Sequence, residues 1–419
     1  MGTLTGGVAV IDITPPPGLL LSGFAARTES AIGVHDRLTV RAIVVGNTGI
    51  VAADVIGIHE DMSARIRERC PLPASNVIVA ATHTHGAPAS MENRLGAADP
   101  AFLKRLEDGC IAALTEAFAT AVPVTLTAGM GGDPDVARNR RHDGGPLDRS
   151  VPVLRLRGAD GKLMATLVSY ACHPTVLGAD NRLMTADFPH YLRNRIEADE
   201  PGSIAVFLNG CTGDVNIGHK ASASTLAASS ARTFENAQRL GELIADAALA
   251  APELPVGTDV KAFDEMVELA LERREGDLVE RARQWSVEAV GADPSRRVLL
   301  GHWIGWAQRN RDIAPGTWTG RVSLLVWGGV PIVALPGEIF AETGLSIRAR
   351  LGEAVAFVTS YADGTPGYIP AASEFRFGGY EVDEAHRFIG MSGSFTAGSA
   401  EALAASASKM IALHKQAAQ

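Results

Sequence analysis

Cysteine is scarce in this sequence, and the few cysteines are scattered. The 419 residues contain four, none of them in a CxxC pair: Cys70, Cys110, Cys172 and Cys211. Disulfide-stabilised secreted domains and cysteine-based zinc motifs depend on denser, regularly spaced cysteines. We therefore expect reduced thiols, with Cys172 in the core.

Basic charge and long apolar runs are also in short supply. Lys and Arg total 38 against 47 Asp and Glu, a formal net charge of -9, whereas nucleic-acid-binding proteins cluster surplus basic charge. The longest apolar runs, such as residues 204–208 and 322–327, fall far short of the about 20 residues that cross a bilayer. We expect no nucleic-acid partner and no transmembrane segment. Because the first residues lack a signal-peptide pattern, the predicted location is cytoplasmic.

What the sequence does contain is a succession of short strands and amphipathic helices. Hydrophobic residues make up 46% of the chain, enough for a sizeable core. Strands are predicted at residues 7–13, 77–81, 124–128, 153–156, 164–170, 204–208, 322–327, 331–335 and 355–359, with a hairpin between 38 and 56. Helices are predicted at residues 60–69, 99–120, 189–198, 236–251, 278–289, 339–351 and 400–414.

This interleaving of strands and helices predicts the fold class. It indicates an α/β protein of mixed β-sheets layered with helices, in a single domain over residues 1–419. The active site is expected at the carboxyl ends of the strands, where α/β proteins collect their ligands. An amidohydrolase barrel is a fold alternative, but it requires a regular eightfold strand–helix alternation that this chain lacks.

Three strand ends carry side chains that can bind a metal ion. His83 and His85 follow the strand at residues 77–81, and an extended chain there directs both imidazoles to one face. His173 ends another apolar run, and Glu338 follows a third strand directly before a helix. Singly, the histidine pair can be a hydrogen-bonded pair, and the glutamate can stabilise the helix dipole. Together they match the two-histidine, one-glutamate ligand set of some catalytic zinc sites.

Two further segments allow more than one interpretation. A loop with two glycines at residues 209–216 suits either an oxyanion-binding loop or an ordinary tight turn from strand to helix. Trp303 and Trp306 stand three apart and share a face if the segment is helical. Core or interface packing explains such a pair, and the other hypothesis is an aromatic wall for an acyl group.

Taken in order, several motifs resemble the catalytic domain of the neutral/alkaline (non-lysosomal) ceramidase family. They extend from about residue 7 to about residue 390, nearly the whole chain. The similar segments are residues 7–14, 22–25, 80–85, 139–140, 173–175, 213–216, 336–338, 367–369 and 379–381.

The resemblance implies a zinc-dependent amidohydrolase that cleaves the amide bond of an N-acyl substrate with metal-activated water. The implied Zn²⁺ ligands are His83, His173, Glu338 and Tyr368. His85 and Tyr380 would stabilise the oxyanion or protonate the leaving amine, and Arg140 would orient a polar substrate group. Asp214 would either support a zinc-binding histidine or act as a base.

Two departures from the family pattern affect the expected substrate. Family members commonly carry a serine implicated in catalysis where this sequence has Asn216, so a serine nucleophile is excluded there. We also expect the family's C-terminal immunoglobulin-like module and secretion signal to be absent. A small-molecule or lipid-like N-acyl substrate, more soluble than ceramide, is therefore expected. Two alternatives stay open: a zinc esterase or lactonase on a small soluble substrate, and a catalytically silent binding protein.

Overall fold

A computed structural model describes residues 3–221 and 229–416 of the chain. The helices within these ranges are α1 (Glu60–Arg69), α2 (Pro100–Ala119), α3 (Phe188–Asp199), α4 (Phe234–Leu249), α5 (Leu278–Gly291), α6 (Pro294–Asn310), α7 (Ala341–Leu351), α8 (His386–Ile389) and α9 (Ser399–Gln416). None of the helices in the described ranges is both long and apolar enough to cross a membrane.

The strands are numerous and mostly short. They are β1 (Thr5–Asp12), β2 (Gly33–Val34), β3 (Thr39–Val45), β4 (Thr48–Ala53), β5 (Val77–Ala81), β6 (Val122–Gly131), β7 (Arg138–Asn139), β8 (Val151–Gly158), β9 (Leu163–Tyr170), β10 (Leu183–Met184), β11 (Ile204–Asn209), β12 (Val215–Asn216), β13 (Leu254–Pro255), β14 (Val260–Glu272), β15 (Thr317–Trp327), β16 (Val330–Ala334), β17 (Glu338–Ile339), β18 (Phe357–Thr359), β19 (Tyr368–Ile369) and β20 (Ser394–Phe395).

Most strands form two mixed sheets. The large sheet has the order β11-β9-β8-β6-β1-β3-β4-β5, with β13 paired to β6. Its two ends are parallel pairs, β11 with β9 and β4 with β5, and the strands between them are antiparallel. The small sheet has the order β18-β16-β15-β14-β20, with β16 and β18 parallel. The fold is therefore the predicted mixed α/β class.

Side-chain alternation along the strands sorts apolar residues between two cores. On β3, Val40, Ala42 and Val44 lie in a core with α1 and α2, whereas Ile43 and Val45 face the small sheet. Successive strand residues point to opposite faces, so a strand buried on both sides reads as a continuous apolar run.

The helices and the two sheets form four layers, with the hydrophobic cores between them. Helices α1 to α4 cover the outer face of the large sheet, and the two sheets pack against each other through a second core. Helices α7 and α9 cover the outer face of the small sheet. Helices α5 and α6 form a hairpin with its own small core, which Phe388 contacts from the segment around α8.

Helix starts follow the capping chemistry of the sequence. Asp99 accepts a hydrogen bond from the backbone amide of Phe102 at 2.8 Å, and Pro100 occupies the first turn of α2 as predicted. One prediction was wrong by a few residues: the helix expected at 339–351 begins at Ala341. Residues Glu338 and Ile339 form β17 instead, because they pair with β19.

The two sheets bring several carboxyl strand ends together. Isolated bridges join Ala80 to Ala362 and Gly210 to Thr359, and so connect the ends of β5 and β11 to the chain that follows β18. The segments after β5, β9, β11 and β16 therefore meet at one place between the sheets.

Candidate metal centre and its cleft

His83 lies just beyond the end of β5 in a backbone conformation that L-residues seldom adopt. Its φ is 67°, so the chain is no longer extended there, and the strand-alternation argument for His83 and His85 was wrong. The turn is held by hydrogen bonds from the amides of Thr82 and His83 to the carbonyls of Ala53 and Val55, at 2.9 and 3.0 Å. The turn nevertheless brings both imidazoles to one site.

A backbone carbonyl fixes the orientation of the His83 ring. Nδ1 lies 2.6 Å from the carbonyl oxygen of Ile56. A carbonyl can only accept, so Nδ1 carries a proton and Nε2 is the nitrogen turned towards the cluster. The ring is buried, and the ring of Tyr361 stacks on it at 4.0 Å between centroids.

His173 is held in the same way. It follows β9, and its Nδ1 lies 2.6 Å from the carbonyl oxygen of Thr212 and 3.2 Å from that of Val215. Its Nε2 lies 3.2 Å from Oε2 of Glu338. Carbonyl-tethered imidazoles with a free Nε2 are typical of metal-binding histidines.

Glu338 completes this group from the small-sheet side. Its amide donates to the carbonyl of Gly367 at 2.8 Å, and the preceding Gly337 has a φ of 73°, which favours glycine. Glu338 Oε2 lies 3.4 Å from Nε2 of His83. Burial alone would raise the pKa of this carboxyl group, but His83 and His173 outweigh burial and hold the pKa well below its usual range.

His85 belongs to the same cluster. Ring nitrogens of His83, His85 and His173 lie within 4.8 Å of one another, and His85 Nε2 is 3.5 Å from His83 Nε2. The other nitrogen, Nδ1, is buried and has no hydrogen-bond partner among the described residues. The ring packs against Gly23, where a Cβ atom would come within 2.3 Å of Nδ1, so a side chain there would displace the imidazole.

The spacing of these atoms fits a divalent metal ion. Ligand bonds of about 2.0–2.2 Å to a tetrahedral zinc ion place neighbouring ligand atoms about 3.3–3.6 Å apart. Three of the separations given above fall in or near this range: 3.2 Å for His173–Glu338, 3.4 Å for His83–Glu338 and 3.5 Å for His83–His85. Neutral imidazole nitrogens and a carboxylate oxygen are donors that suit zinc.

Tyr368 lies next to Glu338, because the two residues pair in the β17–β19 ladder. Its ring lies 6.5 Å from that of His173, and its hydroxyl oxygen accepts a hydrogen bond from Nη2 of Arg140 at 3.0 Å. Arg140 also donates from Nε to Glu381 at 2.9 Å and from Nη2 to the carbonyl of Gly213 at 2.9 Å. Tyr368 therefore stands at the edge of the histidine cluster with its hydroxyl group held by Arg140.

Tyr380 faces Tyr368 across the same edge. The two rings meet edge to face with centroids 5.8 Å apart. Tyr380 begins a π-helical turn that ends at Glu384. Burial raises the pKa of Tyr380 above its ordinary value, so the phenol stays protonated.

Asp214 and Asn216 stabilise loops rather than contacting the histidines. Asp214 accepts from the amide of Ala341 at 2.8 Å and from the side chain of Asn139 at 2.7 Å, and burial raises its pKa to about 6. Among the described residues, the Asp214 side chain therefore makes no hydrogen bond to a histidine of the cluster, and its expected role as a base stays a prediction. Asn216 accepts from the amide of Gly218 and donates to the carbonyl of His219, so its side chain closes a local turn.

Sequence reasoning missed Tyr361. Its hydroxyl group lies 2.6 Å from Oγ1 of Thr212, and its amide donates to the carbonyl of Gly337 at 3.1 Å. With its ring on His83, Tyr361 thus touches the supports of His173 and Glu338 as well. The one feature that could have identified Tyr361 from the sequence is its position just after β18, at the carboxyl end of a strand.

A cavity of about 130 Å³ opens onto the cluster. Its lining comes from several loops and α6: Gly23, Phe24, Ala25, Ala26, His85, Arg140, Thr175, His219, Ala221, Arg232, Leu299, Trp303, Tyr368, Tyr380, Glu384 and Phe388. An adjoining cavity of about 310 Å³ shares Phe24, Tyr380 and Phe388 and adds apolar walls at Leu20, Leu21 and Leu95.

The two tryptophans of α6 differ in role. Trp303 lines the cavity, as the aromatic-wall hypothesis requires, while also packing against Trp285. Trp306 is fully buried and donates from its indole nitrogen to the carbonyl of Met391 at 2.7 Å. Trp306 is thus a core residue, and the hypothesis that the Trp303 ring forms a wall for an acyl group stays a prediction.

Comparison with known proteins relates this chain to ceramidases. A family model described as neutral/alkaline non-lysosomal ceramidase, N-terminal, matches residues 5–216. A neutral ceramidase of Drosophila melanogaster is 27% identical over 306 residues, covering 58% of this chain and 43% of that protein. A neutral ceramidase of Pseudomonas aeruginosa is 24% identical over 246 residues, covering 50% and 36%. The matched region thus spans less than half the length of these relatives.

Solved structures resemble the chain over almost its full length. The crystal structure of neutral ceramidase from Pseudomonas aeruginosa superposes with a TM-score of 0.75 at 18% identity, covering 99% of this chain and 75% of that one. A ceramidase complexed with C2 gives a TM-score of 0.74 at 17% identity, covering 99% and 76%. At such identities the likeness demonstrates a common fold.

Proposed function

Because the chain belongs to the neutral/alkaline non-lysosomal ceramidase family, we propose that it is a zinc-dependent hydrolase that cleaves the amide bond of an N-acyl substrate. The observation that carries the proposal is the convergence of His83, His173 and Glu338, in which Oε2 of Glu338 lies 3.4 Å from Nε2 of His83 and 3.2 Å from Nε2 of His173. His83 and His173 are 90 positions apart in the chain, and His173 and Glu338 are 165 apart, yet all three meet at buried strand ends.

The protein supplies a preorganised set of ligands. Carbonyl groups hold Nδ1 of both His83 and His173, so each Nε2 is presented without further rearrangement. Glu338 contributes the negative charge that a divalent cation requires. Zn²⁺ bound there supplies Lewis-acid chemistry, polarising the scissile carbonyl group and lowering the pKa of a water molecule towards about 7.

Other residues at the cluster handle protons and orient the substrate. Burial, with the neighbouring His83 and His173, keeps the pKa of His85 well below 6.5, so its neutral imidazole can accept a proton and pass it to the leaving amine. The protonated phenol of Tyr380 donates a hydrogen bond to the developing oxyanion. Arg140 holds the hydroxyl group of Tyr368 and lines the cavity, where its guanidinium can orient a polar substrate group.

The two cavities divide the substrate into two parts. The larger cavity, of about 310 Å³, has Leu20, Leu21 and Phe24 in its lining and suits an acyl chain. The smaller cavity of about 130 Å³ lies at the metal cluster and suits a compact amine-side group, since cavities of about 150 Å³ accept a molecule of benzene's size. We therefore favour an N-acyl compound with a small head group.

The test combines metal analysis with a substrate panel. We expect purified protein to hold about one zinc ion per chain and to release the amine from medium-chain N-acyl compounds. His83→Ala and His173→Ala should lose both the metal and turnover, whereas the control His414→Ala, on α9 near Phe263, should retain both. Zinc retained at full stoichiometry by both cluster variants would refute the proposal.

The same panel separates the alternatives. Matched esters and lactones are included, and hydrolysis of these with no release of amine from any amide would identify an esterase or lactonase. Zinc bound without hydrolysis of any substrate would identify a binding protein that is catalytically silent.

A further inference from the structure

Arg232 is a half-buried cation in the wall of the small cavity. No carboxylate among the described residues forms an ion pair with it, and Asp180 acts on it from a longer distance. Residues 221–230, which precede it in the chain, contain no Asp or Glu that could neutralise it. Arg140 in the same cavity differs, because Glu381 pairs with it.

The charge of Arg232 acts on another group of the cavity wall. Burial lowers the pKa of Arg232 itself, which indicates that its guanidinium is partly removed from water. Burial also lowers the pKa of His219, another lining residue, to about 3, and the nearby Arg232 adds to that shift. A partly desolvated guanidinium that no carboxylate contacts directly attracts an anion more strongly than a fully hydrated one.

A second polar group in the wall also lacks a partner. Thr175 is 3% exposed and lines the same cavity, and its hydroxyl group makes no hydrogen bond to any described residue. Its amide donates to the carbonyl of His173 at 2.8 Å, so this hydroxyl is tied closely to the metal cluster. Buried hydroxyl groups normally find a partner, so that of Thr175 leaves a hydrogen-bonding position open in the cavity wall.

We propose that Arg232 and Thr175 bind a carboxylate on the amine side of the substrate, which makes the substrate an N-acyl amino acid. This inference rests on the proposed function and specifies its substrate class. A carboxylate matches the planar fork of a guanidinium and accepts from a hydroxyl group as well. It belongs on the amine side, because the larger cavity takes the acyl chain and the small cavity leaves only a few bonds between the amide and the anion.

The reaction is a hydrolysis and balances without a further reactant. Water adds its oxygen to the carbonyl carbon, the C–N bond breaks, and a proton goes to the nitrogen. The products are a fatty acid and a free amino acid, which retains the carboxylate that Arg232 binds.

The cavity lining also contains a carboxylate. Variants that remove a negative and a positive charge should therefore have different effects on anion binding. Glu384 lies in the same cavity wall, and its charge opposes an incoming anion. Removing that charge should therefore strengthen anion binding or leave it unchanged, the reverse of what removing Arg232 does.

Binding to chelator-treated, metal-free protein tests the site independently of catalysis. The ligands are N-hexanoylglycine and its neutral analogue N-hexanoylglycinamide, measured by calorimetry. We expect the acid to bind roughly 10- to 100-fold more tightly than the amide, the range for a hydrogen bond to a charged group. Arg232→Gln should abolish this preference, Arg232→Lys should restore part of it, and Thr175→Val should reduce it.

The control is Arg239→Gln, which removes the same charge from an exposed position on α4 outside the cavity lining. It should leave both affinities unchanged, and Glu384→Gln should not weaken binding of the acid. Equal affinities for acid and amide in the wild-type protein, binding of neither ligand, or a preference that survives Arg232→Gln would overturn the inference.

Hydrolysis by zinc-loaded protein separates this inference from the proposed function. If the neutral amide is cleaved as efficiently as the acid, and Arg232→Gln does not change this, the protein is an amide hydrolase without the proposed carboxylate site. Tight, Arg232-dependent binding of the acid with no cleavage of any amide would support the carboxylate site and refute the hydrolase.

Discussion

His83 and His173 owe their positions to different loops but are oriented by the same device, a backbone carbonyl at Nδ1. Tyr361 connects the two, since its ring stacks on His83 and its hydroxyl group bonds to Thr212, whose carbonyl holds His173. At this scale the candidate site depends as much on the residue behind the ligands as on the ligands themselves.

We predict that Tyr361→Phe weakens zinc binding by about 10-fold, the lower end of the effect of residues that orient metal ligands. The variant keeps the ring on His83 but loses the hydrogen bond to Thr212, so His173 is less firmly oriented. Competition with a chromophoric chelator measures the affinity. Tyr191→Phe, whose hydroxyl group lies near His35 instead, is the control and should bind zinc like the wild type. Equal affinity of all three proteins would contradict the prediction.

Among the elements, α1 is anchored by one carboxylate at its first residue. Glu60 receives two hydrogen bonds from Arg94, at 2.6 and 2.7 Å, and one from the indole of Trp318 at 2.8 Å. Burial by itself would raise the pKa of Glu60, but Arg94 and Trp318 outweigh it and lower the pKa to about 2 from 4.5. The helix is thereby fixed to β15 of the small sheet.

We predict that Glu60→Gln lowers the free energy of unfolding by roughly 2–3 kcal/mol at pH 7. Because the folded pKa lies below the unfolded one, the contribution is complete above about pH 4.5 and is lost as the pH falls towards 2. The difference between wild type and variant should therefore be about 1 kcal/mol smaller at pH 3.5. Urea denaturation at both pH values measures it.

The matched control for Glu60 is Glu280→Gln on α5. Glu280 also pairs with an arginine, Arg283, but at an exposed position where solvent screens the charges. Its replacement should leave the denaturation midpoint nearly unchanged at either pH. A Glu60→Gln penalty that is the same at pH 3.5 as at pH 7 would show that packing, and not charge, anchors α1.

Element prediction succeeded where one pattern dominated and failed where two competed. Helix 60–69 and strand 77–81 have the predicted bounds, since each has a clear period and clear ends. Strand β14 was not predicted, because its mixed charged and apolar residues alternate with one face half exposed and also suit a helix. Its pairing with β15 over eleven positions is what makes it a strand.

In the whole molecule, the candidate ligands connect the two sheets. His83 and His173 follow strands of the large sheet, and Glu338 follows β16 of the small sheet. A metal ion bound by all three joins segments that are separated in the unfolded chain, so it binds the folded state selectively.

We predict that zinc stabilises the whole chain against heat. A ligand present at 1,000 times its dissociation constant adds about 4 kcal/mol to the free energy of unfolding when it binds only the folded state. Adding zinc to chelator-treated protein should raise the apparent Tm in a thermal scan by several degrees. His173→Ala should abolish the rise, whereas His414→Ala should show it in full. The same rise in His173→Ala would place the stabilising metal elsewhere.

The sequence by itself determined the fold class and most element positions, and it identified His83, His173 and Glu338 as candidate metal ligands. Apolar periodicity is a local property, and the family resemblance depends on short motifs, so both are readable from one chain. The cytoplasmic location, the single domain and the catalytic roles of individual residues stay predictions.

Only the tertiary structure decided how these residues meet and what surrounds them. Contacts between distant segments determine the turn at His83, the place of Tyr361 behind the ligands, the hydrogen bonds of Asp214 and the position of Arg232 in the cavity wall. Such contacts arise when two sheets pack face to face, and because packing joins residues without regard to their spacing in the chain, no local pattern records them.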